Sequence, residues 1–211
     1  MTSYTTSDIE SWERFYKANF INTLTGFKSV NLIGTVNELG QTNLAIFSSI
    51  VHIGSNPPLV GYINRPVNAA QHTLANIQDT GVYTINHIHP SFVEQAHQTS
   101  AKYAAGISEF EEVGLTPEFR ENISAPFVKE SSIKYALTLQ QIIPIELNDT
   151  FLVIGKIIAI QVDNNVVSED GFLQLDKAAS ICSNGIDGYY TTELIKRYSY
   201  VKSDIQSLKI S

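Results

Sequence analysis

The sequence contains one cysteine, one methionine and one tryptophan in 211 residues. A single thiol excludes an intrachain disulfide and any cysteine-built metal staple. Cys182 therefore suits a reducing compartment and reads as a small buried hydrophobe rather than a reactive group. Basic residues are scarce as well: 14 Lys and Arg stand against 21 Asp and Glu, for a net charge of −7. That balance argues against nucleic acid as the main partner, because binding a phosphate backbone needs clustered positive charge. Long apolar runs are missing. The stretch from Phe151 to Ile160 is interrupted by Gly155 and Lys156 and is too short to span a bilayer, so no membrane partner is expected. Met1 to Asp8 carry neither a basic nor an apolar leader segment, and a cytoplasmic location is expected. The sequons at Asn122 and Asn148 are accordingly expected to carry no sugar. No glycine-rich phosphate loop, dinucleotide fingerprint or G-x-S-x-G elbow is present.

What is there describes an ordinary globular chain: 43% hydrophobic and 17% charged residues. A chain of this length favours one large domain and buries roughly 70% of its unfolded surface without staples. Ser7-Asp-Ile-Glu10 has the capping-box form, and Ile9, Trp12, Phe15 and Tyr16 follow at helical spacing, which predicts a helix over 8–18. From Ser29 the period changes to two, and strands are expected over 29–36, 42–52, 59–64 and 81–87. A helix is expected over 68–78, and a second capping box at Ser91 predicts another to Gln98. Residues 99–127 show no period and carry Glu109, Glu111 and Glu112, the composition of a functional lid. Long strands are expected over 132–143 and 150–162, with Gly155 marking a bulge. Many hairpin-linked strands with interposed helices point to a mainly β protein, a β-barrel with added helices.

Two constellations carry chemistry. His87, His89 and His97 admit a metal site, since His87 and His89 point the same way in a regular strand. No cysteine or evident carboxylate completes the set, so local hydrogen bonding is the favoured reading. The second lies between Asn43 and Asn76. Asn43, Ser48, Ser49, Ser55 and Asn56 are uncharged donors, Arg65 follows the next strand, and His72, Thr73 and Asn76 share a helix face. Hydroxyls with one guanidinium suit a phosphate monoester, while turn and cap roles are the bland alternative. Ser48 and Ser49 are the sharpest puzzle, because two hydroxyls weaken an otherwise apolar strand.

The residues go beyond spacing. Ser29-Val-Asn-Leu-Ile-Gly-Thr35, Asn43-Leu-Ala-Ile-Phe-Ser-Ser49, Ser55-Asn-Pro-Pro-Leu-Val60 and Asn76-Ile-Gln-Asp-Thr-Gly-Val-Tyr-Thr-Ile-Asn86 resemble the flavin reductase-like, FMN-binding split-barrel family, including its flavoredoxin-like members. The likeness continues in order through Gln98-Thr-Ser-Ala-Lys-Tyr103, Ser108-Glu-Phe-Glu-Glu-Val-Gly-Leu115, Ala125-Pro-Phe-Val-Lys-Glu-Ser131 and Leu152-Val-Ile-Gly155. It implies a six-stranded Greek-key split barrel, a homodimer with FMN near the interface. By residues it implies a helical segment over 1–24, a barrel over 25–190, and a tail over 191–211 packing on the barrel or the dimer partner. The implied cofactor contacts are Asn43, Ile46, Phe47, Ser48, Ser49, Ser55, Asn56, Arg65, Thr73, Asn76, Thr99, Ser100 and Tyr103. Two departures stand out. Gln71-His72-Thr73 replaces the usual Lys-Asp-Thr, and Phe47-Ser-Ser-Ile50 replaces Phe-Ser-Phe-Phe.

The activity implied is that of an FMN-dependent oxidoreductase, with NADH or NADPH delivering hydride to flavin N5 and no metal. His52, His87 and Tyr103 are candidates to contact the nicotinamide or the flavin edge. The alternative is an electron carrier lacking its own NAD(P)H site, and a barrel using pyridoxal phosphate or heme is a third reading. A small-molecule substrate, and a partner monooxygenase taking the reduced flavin, belong to the reductase reading.

Overall fold

The single strand expected over 42–52 is two strands, broken at Ser48 and Ser49, and this break organises the architecture. The computed structural model describes residues 1–66, 72–104, 106–200 and 209–210, the last two by backbone alone. Helices α1 (Thr6–Ser11) and α2 (Arg14–Leu24) come first. Strands β1 (Lys28–Ser29), β2 (Asn31–Val36), β3 (Thr42–Phe47), β4 (Ile50–Ser55) and β5 (Pro58–Asn64) follow. Helix α3 (His72–Thr80), strand β6 (Val82–His87) and helices α4 (Val93–Gln98) and α5 (Glu109–Val113) form the middle. Next are β7 (Pro117–Arg120), β8 (Ile123–Val128), β9 (Ile133–Ile145) and β10 (Thr150–Val162). The short strands β11 (Cys182–Asn184), β12 (Gly188–Tyr190), β13 (Arg197–Tyr198) and β14 (Lys209–Ile210) come last.

Seven strands share one antiparallel sheet in the order β3-β2-β6-β9-β10-β5-β4. Its two edges, β3 and β4, are consecutive in the chain, so the sheet curls until its ends meet at Ser48–Ser49. The six expected barrel strands thus become seven, because the serine pair makes a corner where the chain leaves β2 for β5. Ser49 completes that corner: its hydroxyl donates to the Ile63 carbonyl (2.9 Å) and accepts from the Ile63 amide (3.2 Å). One side chain thereby stands in for a rung of the ladder that neither strand supplies there.

Strand β2 is buried along its whole length, with Leu32 in one apolar cluster and Ile33 in another. Successive side chains point to opposite faces, so β2 is a wall between two cores. The barrel interior packs Ile33, Tyr62, Leu74, Ile77, Tyr83, Leu137 and Val153. The outer cluster packs Leu32, Leu44, Phe92, Phe110, Leu115 and Val128. Strand β8 crosses β2 so closely that a Cβ at Gly34 would fall on the Pro126 carbonyl and the Thr84 hydroxyl. Thr84 Oγ1 donates to Pro126 O (2.6 Å), and Asn86 joins Leu32 O to the Val128 amide. The bulge expected at Gly155 is present, with Tyr83 Oη packed where its side chain would be.

Several local expectations are corrected. The helix expected over 8–18 is two helices, because Thr5 rather than Ser7 forms the capping box, with Asp8. Glu13 then caps α2 by accepting from the Phe15 and Tyr16 amides (2.8 and 3.1 Å). Neither helix buries a residue; Trp12 packs edge-on against Tyr4 and Tyr16, and tilted against Phe20. The segment over 99–127 holds α5, β7 and β8, elements too short to display a period. Ser91 does not cap α4. A 3-10 turn, Pro90–Phe92, intervenes, and the His89 ring nitrogen accepts from the Ser91 amide (3.1 Å). Residues 68–71, expected to open α3, lie outside the described residues. No helix among the described residues is long and apolar enough to cross a membrane.

Candidate functional site

A cleft of about 730 Å³ opens beside the serine corner, within the size range of cofactor sites. One wall is the end of β3 and the corner itself: Asn43, Ala45, Ile46, Phe47, Ser48 and Ser49. Ile63, Asn64 and Arg65 come from the exit of β5, and His72 and Thr73 from the start of α3. The facing wall is built by His97 at the end of α4 with Thr99, Ser100, Ala101 and Lys102 after it, and by Glu109 of α5. Ser183, Ile186, Asp187 and Tyr189, around β11 and β12, complete it.

Nine of the thirteen residues implied by the family resemblance line this cleft: Asn43, Ile46, Phe47, Ser48, Ser49, Arg65, Thr73, Thr99 and Ser100. They differ in what they have left to offer a ligand. Ser48 and Ser100 make no side-chain hydrogen bond among the described residues, and Arg65 and Lys102 enter no ion pair there. Ser49 is committed to Ile63, and Thr99 Oγ1 donates to Ala96 O (2.8 Å). Asn43 Nδ2 donates to Thr73 Oγ1 (3.1 Å) and Thr35 Oγ1 (3.3 Å), and Asn76 Nδ2 donates to the same Thr35 hydroxyl (3.0 Å). This buried network fastens α3 to β2 and β3 behind the cleft. Asn76 lines a smaller crevice of about 140 Å³ on the other side of Asn43.

The remaining implied residues stand away from the cleft. Ser55 is exposed at the end of β4, Asn56 is exposed in the turn after it, and His52 is exposed on β4. Tyr103 accepts from Gln98 Nε2 (3.3 Å) outside the lining. The three histidines weighed as a metal set go to separate partners. His87 Nδ1 meets Ser180 Oγ (2.8 Å), His89 Nδ1 meets Ser91 Oγ (2.8 Å), and His97 Nδ1 meets Tyr189 Oη (2.7 Å). Burial holds the His87 ring well below the usual histidine range, at about 4.

Two wall residues make tertiary contacts that the sequence does not announce. Glu109 is buried to 6% exposure, and its Oε2 accepts from the Leu44 amide (3.0 Å) on the outer edge of β3. Burial pushes its carboxyl above the usual carboxylate range, against the opposing pull of that amide and of His72. Tyr189 bridges to His97 and so ties the β11–β12 wall to α4. Both contacts link residues far apart in the chain, and no local pattern announces them. Lys102 was legible only as the basic residue within Gln98 to Tyr103.

Residues 25–179 match the family described as the flavin reductase like domain. The chain belongs to that family. A split-barrel member from Shewanella frigidimarina NCIMB 400, assigned as a flavin reductase, is 47% identical, with a TM-score of 0.92 over 95% of this chain and 100% of its own. Nitrilotriacetate monooxygenase component B of Bacillus cereus is 22% identical, with a TM-score of 0.80 over 92% of this chain and 96% of its own. Flavoredoxin of Desulfovibrio vulgaris (Miyazaki F) is also 22% identical, with a TM-score of 0.69 over 84% and 91%. The first likeness extends to sequence; the other two are likenesses of fold. This flavin reductase-like protein is accordingly a mainly β split barrel, with its cleft beside the Ser48–Ser49 corner.

Proposed function

We propose that this protein binds FMN in the cleft beside Ser48–Ser49 and acts as an NAD(P)H-dependent flavin reductase. The observation that carries the reading is the donor set: Arg65, Lys102, Ser48 and Ser100 line one cleft with no ion pair or side-chain hydrogen bond to one another. Cations with no ion pair among the described residues, together with hydroxyls, suit a phosphate monoester, and Phe47 and Ile46 present apolar surface to a flat ring. Bound FMN would supply the hydride chemistry, accepting hydride at N5 from a nicotinamide. Arg65 would hold the phosphate, Ser48 would donate to the flavin, and the 99–102 segment with Tyr189 would exclude water from the cleft. None of these roles asks for a nucleophile or a paired acid and base.

The same reading includes a homodimer with the cofactor near its interface. Val51 and Ile53 on β4 and Ile158 and Ile160 on β10 leave apolar side chains on solvent, surface that a second copy would cover. A monooxygenase that takes the reduced flavin is the partner suggested by the likeness to a monooxygenase component B. The second reading, an FMN-binding electron carrier, draws on the likeness to flavoredoxin. Purified protein mixed with FMN in the absence of oxygen separates them. Bleaching of the bound flavin by NADH or NADPH is the expected result. Flavin bands that neither reductant bleaches would establish the carrier, and a protein that takes up no FMN would end both readings.

A further inference from the structure

We infer that Glu109 is a positioning residue of the cofactor cleft, clamping the wall that carries Thr99 to Lys102 and Glu109 to the outer edge of β3. The inference rests on the flavin reading above and extends it to a residue outside the expected contacts. Among the described residues strand β3 pairs only with β2 within its sheet, so its outer amides face away from the ladder. An unpaired edge of this kind is ordinarily capped by another element. Here it is capped by side chains. Glu109 Oε2 accepts from the Leu44 amide (3.0 Å), and two residues along the strand Thr42 Oγ1 meets Ser108 Oγ (2.6 Å).

Local rules make the arrangement unusual. Ser108 occupies the N-cap of α5 yet makes no side-chain cap bond. A serine there normally satisfies its own helix, so its hydroxyl has been diverted to a tertiary contact. Phe110, fully buried beside Leu44 and Phe92, locks the same turn from the apolar side. Three consecutive residues, Ser108 to Phe110, therefore dock one turn of chain onto one strand edge.

The consequence falls on the cleft. Upstream of this clamp runs the segment that supplies Thr99, Ser100, Ala101 and Lys102 to the facing wall. On the strand side, Asn43 adjoins Leu44, lines the cleft and bonds Thr73. The Leu44–Glu109 bond thus holds the two walls at a fixed separation. Its carboxylate also lines the cleft, where a negative charge opposes an anionic ligand. An amide in its place would keep the acceptor and lose the charge.

Three variants and two measurements test this. FMN titration should show Glu109→Ala binding about tenfold or more weaker than wild type, and Glu109→Gln binding as tightly as wild type or tighter. Ile133→Val, in a separate small cluster with Val166 and Ala178, controls for general loosening and should bind as wild type. Amide exchange of the ligand-free proteins should show Leu44 protected in wild type and Glu109→Gln, and faster in Glu109→Ala. Wild-type affinity in Glu109→Ala would overturn the inference, as would an equal loss in Glu109→Gln or in Ile133→Val. A wild-type protein that fails to bind FMN would remove the flavin reading, while unchanged Leu44 exchange in Glu109→Ala would remove the clamp itself.

Discussion

Ser49 and Ile63 lie fourteen residues apart, and the Ser49 hydroxyl takes both backbone groups of Ile63, donating to its carbonyl at 2.9 Å and accepting from its amide at 3.2 Å. A backbone pair would do the same job inside a ladder. At this corner the strand has turned away, and only a short side chain with both donor and acceptor capacity reaches back. Ser48, its neighbour, faces the cleft without a hydrogen bond among the described residues. On the FMN reading proposed above, the two hydroxyls divide the work between fold and ligand.

That division is measurable. Ser49→Ala leaves both Ile63 groups without their partner and should destabilise the protein by about 1–2 kcal/mol, or roughly 2–8 °C in Tm for a chain of this size. Ser48→Ala should leave Tm unchanged and weaken FMN binding. Thermal melts and FMN titrations of the two variants check the pair, and equal Tm losses would show that both serines serve the corner.

Arg65 is exposed at the exit of β5 and enters no ion pair among the described residues. If it pairs the FMN phosphate, Arg65→Ala should lower FMN affinity by about 1.5–3 kcal/mol, an order of magnitude or more, with stability unaffected. Arg65→Lys should recover only part, because an ammonium lacks the two-pronged geometry. Unchanged affinity in Arg65→Ala would move the phosphate to another group, Lys102 being the first to examine.

Thr35 does not line the cleft, yet its hydroxyl accepts from both Asn43 and Asn76. Thr35→Val keeps the shape, removes the acceptor of the buried Asn76 amide and leaves the Asn43 amide with Thr73 alone. A loss of about 1–3 kcal/mol in a denaturant melt is expected. FMN affinity should fall with it, because Asn43 and Thr73 share the network.

His87 supplies a pH dependence whose sign follows from burial. Its folded pKa lies near 4, below the ordinary value of 6.5. Between those values the unfolded chain binds the extra proton, so stability rises with pH through this window and is complete above it. The contribution lost on acidification is at most about 3 kcal/mol, less to the extent that water reaches the ring. His87→Gln should flatten the difference in stability between pH 7 and pH 4 relative to wild type. Parallel curves for the two proteins would show that the ring is not the sensor.

Periodicity and turn chemistry were enough for strands β2, β5, β6, β9 and β10, because each buries apolar side chains on a face that the two-residue period exposes. The bulge at Gly155 was legible from a glycine inside a β-branched run. The caps were not: Thr5 displaced Ser7, and His89 displaced Ser91, since several residues near each helix start can accept the same amide. Elements of four to six residues, such as α5 and β7, are too short to announce themselves. The family was readable from ordered motifs, and nine of its implied contacts line one cleft.

The amino-acid order by itself determined strands β2, β5, β6, β9 and β10, the polar and basic residues between Asn43 and Asn76, and the hydroxyl pair that interrupts the apolar run at Ser48–Ser49, because propensity and hydrophobic period are local. Only tertiary structure decided what that interruption does. Turning the chain from β3 to β4 at the two edges of the sheet, seating Glu109 against Leu44 and setting Tyr189 against His97 depend on contacts 14 to 92 residues apart. Such contacts are selected by how whole faces pack, and no window of sequence contains them.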